Sequence, residues 1–382
     1  MRSMIESKNL TGKWVSTQTP SKRVQIRYWR LRWRSALIRI LEKVLIGNSL
    51  STLVIRDFSS LSRFEAAMQY VEEIELLEDA QLIQRTFDFG GTQFPTFCDF
   101  RRAIFRYTIK DAVVHLESGL ANVCGGFMVE ELMESLADVF GGGTAVHEYH
   151  ATKRPSQRFD GYWTVVPTPR FYYHFIAQTL PTLFRELSHV KLQGILASEK
   201  MPSWARVAIE ELNVPVVYLP NNAVEIEHYV CCSVPQITSK SDVFLLREKY
   251  AANLSTNGRN LAFIGRGNRN KNLGSIENEI ANFVETHGGV VVDPELLGWK
   301  EELDFFSGVD RLILVYGSAS ANVVWMKPGT KVLVLCRYGA FSTQIEKAMY
   351  MAAEVRCIEF NSDNLNDLSD ELREEMIRFI SE

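Results

Sequence analysis

The sequence predicts an α/β protein of two domains, and three observations carry that expectation. From Leu50 onward, short apolar runs that suit strands alternate with amphipathic helical patterns. Some runs, Leu312–Tyr316 among them, are apolar at every position, the pattern of a strand covered on both faces of a parallel sheet. And 382 residues exceed what one small core organises. The expected division is an N-terminal segment, 1–49, then α/β domains at 50–240 and 241–382.

Composition narrows the function. Apolar and charged fractions of 46% and 23% are those of an ordinary soluble protein. A net charge of −4 argues against general nucleic-acid binding. The six cysteines (98, 124, 231, 232, 336 and 357) form no CxxC pair and sit mostly in apolar runs, which suits buried thiols in a reducing compartment. No apolar run reaches the roughly 20 residues that span a bilayer, and Met1–Pro20 lacks the apolar region of a signal peptide. A cytoplasmic protein is the expectation.

Residues 22–48 stand apart. Seven Arg or Lys precede Glu42, interleaved with Tyr28, Trp29, Leu31 and Trp33, and Leu37–Leu45 continues as an amphipathic helix. A basic, Trp-bearing helix suits peripheral contact with an anionic membrane at its inner face, and also an ordinary helix docked on the domain. Co-sedimentation with anionic vesicles separates these. The membrane reading requires binding that disappears when 22–48 is deleted.

In the first domain, Ser51–Phe58 reads as a strand and Ser62–Leu77 as a helix, with Ser62 and Glu65 as a capping box. Ile104–Leu116 is strand-like. Phe127–Phe140 reads as a helix stopped by three glycines. Thr144–Thr168 is polar, basic and aromatic, and is expected to form surface loops. Its His147 and His150 have no helical context and no obvious third ligand, so they read as loop histidines. Phe171–Ser188 keeps helical spacing through Pro181, where a kink or restart is expected. His174 lies near its start, where the positive end of the helix dipole favours a neutral, base-competent imidazole. Packing between Tyr172 and Phe175 would explain the same residue. Gly194–Ala197, a helix at Trp204–Leu212, Val214–Leu219 and a short strand at His228–Ser233 complete the unit. Val234–Ser241 reads as the linker.

The second domain opens with a helix, Asp242–Leu254, and a strand, Leu261–Ile264. Arg266, Arg269 and Lys271 follow among Gly and Asn, placing positive charge at a strand's carboxyl end, where open α/β sheets bind ligands. That charge points to a phosphate better than the isolated Gly265–Gly267 pair does. A helix at Glu277–Glu285 and a strand at Gly289–Val292 lead into Asp293-Pro294-Glu295, then a helix at Trp299–Phe306. The strand Leu312–Tyr316 ends in Gly317-Ser318-Ala319-Ser320-Ala321, side chains small enough for a ligand to reach the backbone. Strand, small-residue turn and helix start together offer N–H groups to an anion, and would equally serve tight packing. Val332–Leu335, a helix at Ser342–Ala353, a strand at Val355–Phe360 and a helix at Leu365–Ile380 finish the chain.

Two α/β domains with phosphate-friendly turns in the second fit a GT-B glycosyltransferase, with two Rossmann-like domains facing a cleft. The stretch from Val290 through Asp293-Pro-Glu, Gly317, Asn322 and Pro328-Gly329 to Leu335 resembles the C-terminal signature of the family 61 (DUF563, capsular polysaccharide biosynthesis-like) glycosyltransferases. Phe171–Leu183 is similar to the same family's HFLxDxLPRL segment, and Phe263–Arg266 to its I-S-R strand end. Tyr162 to Leu335 is covered in register. Several polar positions depart from the pattern. Tyr316 stands for the family's His, Ala321 for its Thr and Glu302 for its Gln. Gln178 stands for the acidic residue of the first segment, Thr182 for the Arg after its Pro, and Val334 for an acidic residue.

The resemblance implies an inverting transferase that moves a sugar from a nucleotide sugar to a glycan or lipid-linked glycan, with neither metal nor cofactor required. On it, His174 is the general base. The donor-binding set is Arg266, Arg269, Lys271, Asp293, Glu295, Tyr316, Gly317, Ser318, Ala319, Ser320 and Asn322. The departures leave two alternatives, an inactive GT-B scaffold that binds nucleotide or glycan, and a polysaccharide pyruvyltransferase-like enzyme.

Overall fold

The computed structural model describes residues 54–55, 70–85, 88–89, 92–93, 97–101, 103–117, 119, 121–123, 127–129, 155–169, 171–220, 223–234, 240–250, 258, 260–265, 274–315, 317–327, 329–337, 352–360 and 370–381. The basic segment 22–48, His147, His150, Arg266, Arg269, Lys271, Tyr316 and most of the helix expected at 342–353 lie outside them.

The strands in chain order are β1 (Val54–Ile55), β2 (Val71–Glu78), β3 (Gln81–Arg85), β4 (Asp88–Phe89), β5 (Thr92–Gln93), β6 (Phe97–Arg101), β7 (Ile104–His115), β8 (Ala121–Val123) and β9 (Phe127–Val129). They continue as β10 (Arg158–Val166), β11 (Leu192–Ser198), β12 (Val216–Leu219), β13 (Ala223–Cys232), β14 (Ala262–Ile264), β15 (Val290–Val292), β16 (Arg311–Val315), β17 (Thr330–Arg337) and β18 (Ala352–Phe360). The helix α1 starts at Tyr172–His174, widens into a π turn at Phe175–Thr179 and ends as Leu180–Leu187. The other α-helices are α2 (Ser203–Glu210), α3 (Lys240–Tyr250), α4 (Gly274–Thr286), α5 (Trp299–Ser307) and α6 (Asp370–Ser381).

Two large sheets organise the described chain, beside the two-stranded pairs β3–β6 and β4–β5, and the smaller of the two is the simpler. Its order is β15-β14-β16-β17-β18, every pair parallel. Successive residues pack on opposite faces, as the strand period of two requires. Ala262, Ile264, Val332 and Val334 face one core; Phe263, Leu333 and Leu335 face the other, with α4 and α6. Burial on both faces is why the runs Ala262–Ile264, Leu312–Val315 and Val332–Leu335 are apolar at every position.

The larger sheet runs β1-β9-β8-β7-β13-β10-β11-β12, with β2 also paired to β7. From β13 through β10 and β11 to β12 the pairs are parallel, whereas β7 is antiparallel to β2, β8 and β13. The βαβ pattern therefore holds in the second half of this unit, and the strands before it form a largely antiparallel meander.

One hydrophobic core joins the sheets. It runs from Val166 and Ile195 through Phe175, Ile176 and Leu180 of α1 to Ala262, Leu312 and Val332. Tyr250, Trp299 and Trp325 meet edge to face at its centre, with centroids 5.3, 5.7 and 5.9 Å apart. Each such pair adds about 0.5–1.5 kcal/mol beyond area burial.

Several sequence expectations are corrected. Val71–Glu78 is strand, not the end of a helix. Glu73-Ile74-Glu75-Leu76 alternates with period two, and pairing with the edge of β7 overrides the helical spacing. Phe127–Val129, expected to begin a helix, is strand β9 between β8 and β1. Arg158–Val166, expected as loop, is β10, a central strand flanked by β11 and β13. The strand expected at His228 starts at Ala223, and Ala352–Ala353 belong to β18 rather than to a helix. The restart expected at Pro181 is present, since α1 resumes as Leu180–Leu187 with Pro181 in its first turn. The π turn just before it hands the Leu180 N–H to Phe175 O, so the chain enters α1's last turns with Pro181 near their start, where a missing N–H costs little. Among the described residues no helix is long and apolar enough to cross a membrane.

Candidate active site

In sequence order the strands of the parallel sheet lie second, first, third, fourth, fifth. The chain leaves β14 for β15 on one side, then crosses to β16 on the other, so the topological switch point lies between the carboxyl ends of β14 and β16. Open α/β sheets bind ligands at such a switch point. The segment carrying Arg266, Arg269 and Lys271 leaves β14 directly after Gly265; the small-residue turn leaves β16 at Gly317. Gly265 lets the Glu277 side chain approach the backbone closely. A Cβ there would lie 2.5 Å from Oε1 of Glu277, whose side chain is buried on α4.

The turn after β16 continues as a 3-10 helix, Ser318–Trp325. Ser320 donates both its N–H (3.0 Å) and its hydroxyl (2.6 Å) to Gly317 O, which closes the first turn. Ala321 is buried in the shared core and Ala319 packs against it, so the small side chains serve packing as well as backbone access. Ser318 and Ala319 are half-buried at the open end of the helix.

Asn322 is fully buried, and both polar atoms of its side chain are used internally. Its Nδ2 donates to Glu302 Oε1 on α5 (2.6 Å), and its Oδ1 accepts from the Tyr172 hydroxyl on α1 (2.8 Å). Burial pushes the Glu302 carboxyl up to about 7, against the hydrogen bond from Asn322 that favours its ionised form. Burial, reinforced by the Glu302 charge, holds Tyr172 well above the usual phenol range, so its proton stays in place. These three side chains pin the first turn of α1 onto the 3-10 helix.

That turn also carries His174. Its Nδ1 donates to Gln178 Oε1 one turn on (2.7 Å), leaving Nε2 as the acceptor nitrogen of a half-buried ring. Tyr173 meets the imidazole edge-on at 5.3 Å, and Phe171, itself 42% exposed, lies 6.0 Å away. This places a histidine whose orientation is set by a neighbour on a helix docked against the Gly317 turn.

Asp293 and Glu295 lie at the carboxyl end of β15, on the far side of β14 from the switch point. Asp293 caps the following 3-10 turn, its Oδ1 accepting from Glu295 N–H at 3.0 Å, and both side chains are exposed. The structure thus docks the helix that carries His174 against the Gly317–Asn322 turn, through Tyr172 and Asn322, and sets Asp293 and Glu295 one strand away.

Sequence reasoning missed the roles of Tyr172 and Glu302. A signal for Glu302 was present. With Trp299, Leu303 and Phe306 it falls on α5's buried stripe, where a carboxylate needs a partner. Nothing local pointed from Tyr172 to a partner 150 positions away. Among the described residues no three His, Cys, Asp or Glu side chains converge to hold a metal ion.

Residues 172–333 match the family model Glycosyltransferase 61. The matched stretch contains the whole of this arrangement, from Tyr172 and His174 through Glu302 to Asn322. No curated protein matches the chain.

Proposed function

We propose that this chain, glycosyltransferase family 61-like over 172–333, moves a sugar from a nucleotide-sugar donor to a glycan or lipid-linked glycan with inversion at the anomeric carbon. The reading takes the two α/β units as the halves of a GT-B-like arrangement, with the acceptor side N-terminal. The observation that carries it is the docking of the His174 helix onto the turn that leaves β16.

The chemistry follows from charge. His174 Nε2 takes the proton from the acceptor hydroxyl while that oxygen bonds to the anomeric carbon. The bond from that carbon to the phosphate oxygen breaks, and its electron pair leaves with the nucleoside diphosphate. Arg266, with Arg269 and Lys271 behind it, neutralises the developing charge from the β14 side. From the β16 side the amides of Ser318 and Ala319 serve best, because the first N–H groups of a helix have no partner within it, whereas the Ser320 N–H is bonded to Gly317 O. Asp293 and Glu295 are assigned to ribose or sugar hydroxyls.

A second reading, binding without turnover, draws support from Gln178. A neutral amide orients His174 but offers no charge to stabilise the imidazolium that forms as the proton is taken. Thermal shift and product release across a panel of nucleotide sugars separate the two. Transfer or donor hydrolysis supports the enzyme, and stabilisation alone supports the binding protein. Arg266→Ala should abolish the donor-dependent shift; an undiminished shift would remove the phosphate assignment.

A further inference from the structure

Tyr172, Asn322 and Glu302 come from three elements: the first turn of α1, the 3-10 helix after β16, and α5. They meet in a buried chain with contacts of 2.8 and 2.6 Å. Asn322 is 0% and Glu302 5% exposed, so neither addresses a ligand directly. Leu303 and Trp299 of α5 are in the shared core, and Trp299 also donates to Glu211, the C-cap of α2. Glu302 therefore sits on an anchored element and holds the amide of Asn322. Asn322 in turn holds the residue two positions before His174. A hydrophobic side chain at 302 would fill the same stripe at less electrostatic cost, so packing alone does not account for a carboxyl there.

We infer that Glu302 is a positioning residue, setting the distance between His174 and the Gly317–Ala319 turn through Asn322 and Tyr172. The inference deepens the transferase reading given above. The link tolerates either protonation state of Glu302, because a carboxylate and a neutral carboxyl each keep an oxygen that accepts from Asn322 Nδ2. It also orders the Asn322 amide. With Nδ2 bound to Glu302, Oδ1 is left to accept from Tyr172, and the whole chain runs in one direction. Misplacing a catalytic group by about an ångström can cost on the order of 100-fold in rate, so a link of this kind has catalytic consequence without touching substrate.

The test uses the full chain with Glu302→Leu, Glu302→Gln and Tyr172→Phe, plus the Glu302→Leu/Tyr172→Phe double variant. Two readouts are needed. The first is the rate at which diethyl pyrocarbonate modifies His174, followed by mass spectrometry, which requires no activity. The second is kcat and donor KM for whichever nucleotide sugar is turned over. Modification of His174 should quicken severalfold in Glu302→Leu and in Tyr172→Phe, and Glu302→Gln should match the parent because its amide oxygen still accepts from Asn322. In Glu302→Leu kcat should fall on the order of 100-fold with donor KM unchanged. Tyr172→Phe cuts the same link and should lose a comparable factor, again with donor KM unchanged. The double variant should lose no more than Glu302→Leu alone, because both act through one chain. Unchanged His174 reactivity in both single variants overturns the inference, as do losses that multiply in the double variant or fall on donor KM. Altered reactivity in a protein that binds no nucleotide sugar would sustain the link and defeat the transferase reading.

Discussion

Glu302 and Glu186 are both buried carboxyls, each 5% exposed and each pushed well above the usual carboxylate range, to about 7 and about 8. In both, burial is the dominant cause. They differ in what they join. Glu186, near the end of α1, accepts from Thr164 Oγ1 of β10 (2.7 Å) and from the Cys232 N–H of β13 (2.9 Å), so it ties the helix to its own sheet. Glu302 reaches the start of the same helix from the other sheet, through Asn322 and Tyr172. On the inference above, a buried acid whose partners lie in one unit serves stability, while one whose partners join the two sheets serves positioning. Perturbation at the far end of α1 should accordingly move stability, and perturbation at the near end should move rate.

The largest way to break this contrast is Arg185→Ala. Next to Glu186, the buried guanidinium pairs with Glu78 and with Asp242 of α3 (2.5 Å to the latter), whose side chain is 0% exposed. Burial works against the charge and the two carboxylates outweigh it. Removing Arg185 leaves Asp242 buried without that partner, and unfolding by denaturant should report a loss of about 3–5 kcal/mol. The rate per folded molecule should stay close to the parent's. A large fall in that rate would make the two ends of α1 a single functional unit.

A smaller effect sharpens it. The folded state holds the Glu186 proton more tightly than the unfolded chain, because its value rises from 4.5 to about 8. The contribution to stability is therefore complete below about pH 4.5, declines as pH rises toward about 8, and changes little beyond that. Glu186→Gln removes the titration while keeping the pattern, since its Oε1 accepts from Cys232 N–H and its amide donates to Thr164. At pH 8.5 the variant should be more stable by about 5 kcal/mol, and at pH 4.5 the two proteins should nearly coincide. Chemical denaturation at the two pH values checks this; equal stability gaps at both would refute the account of Glu186.

The parallel sheet was legible because burial on both faces leaves a mark that needs no partner information, as in Leu312–Val315 and Val332–Leu335. The mixed sheet was less so. β10 begins with Arg158, Asp160 and a bulge near Gly161, so its polar half hides a central strand, and the edge strand β2 carries acidic residues at a spacing that also fits a helix. At the site, Gly317 to Ala321 and His174 stood out through residue type and position along their elements. The link between them did not, since Tyr172, Glu302 and Asn322 are joined only by the packing of three distant segments.

The central claim is that docking α1 on the β16 turn assembles a transferase site with His174 as its base. Its most direct test is to measure donor affinity and product release together in the parent protein and in His174→Ala. The account predicts equal donor affinity and a rate lower on the order of 10²–10⁴-fold in the variant, with the fold intact. A variant that turns over donor as fast as the parent would contradict it.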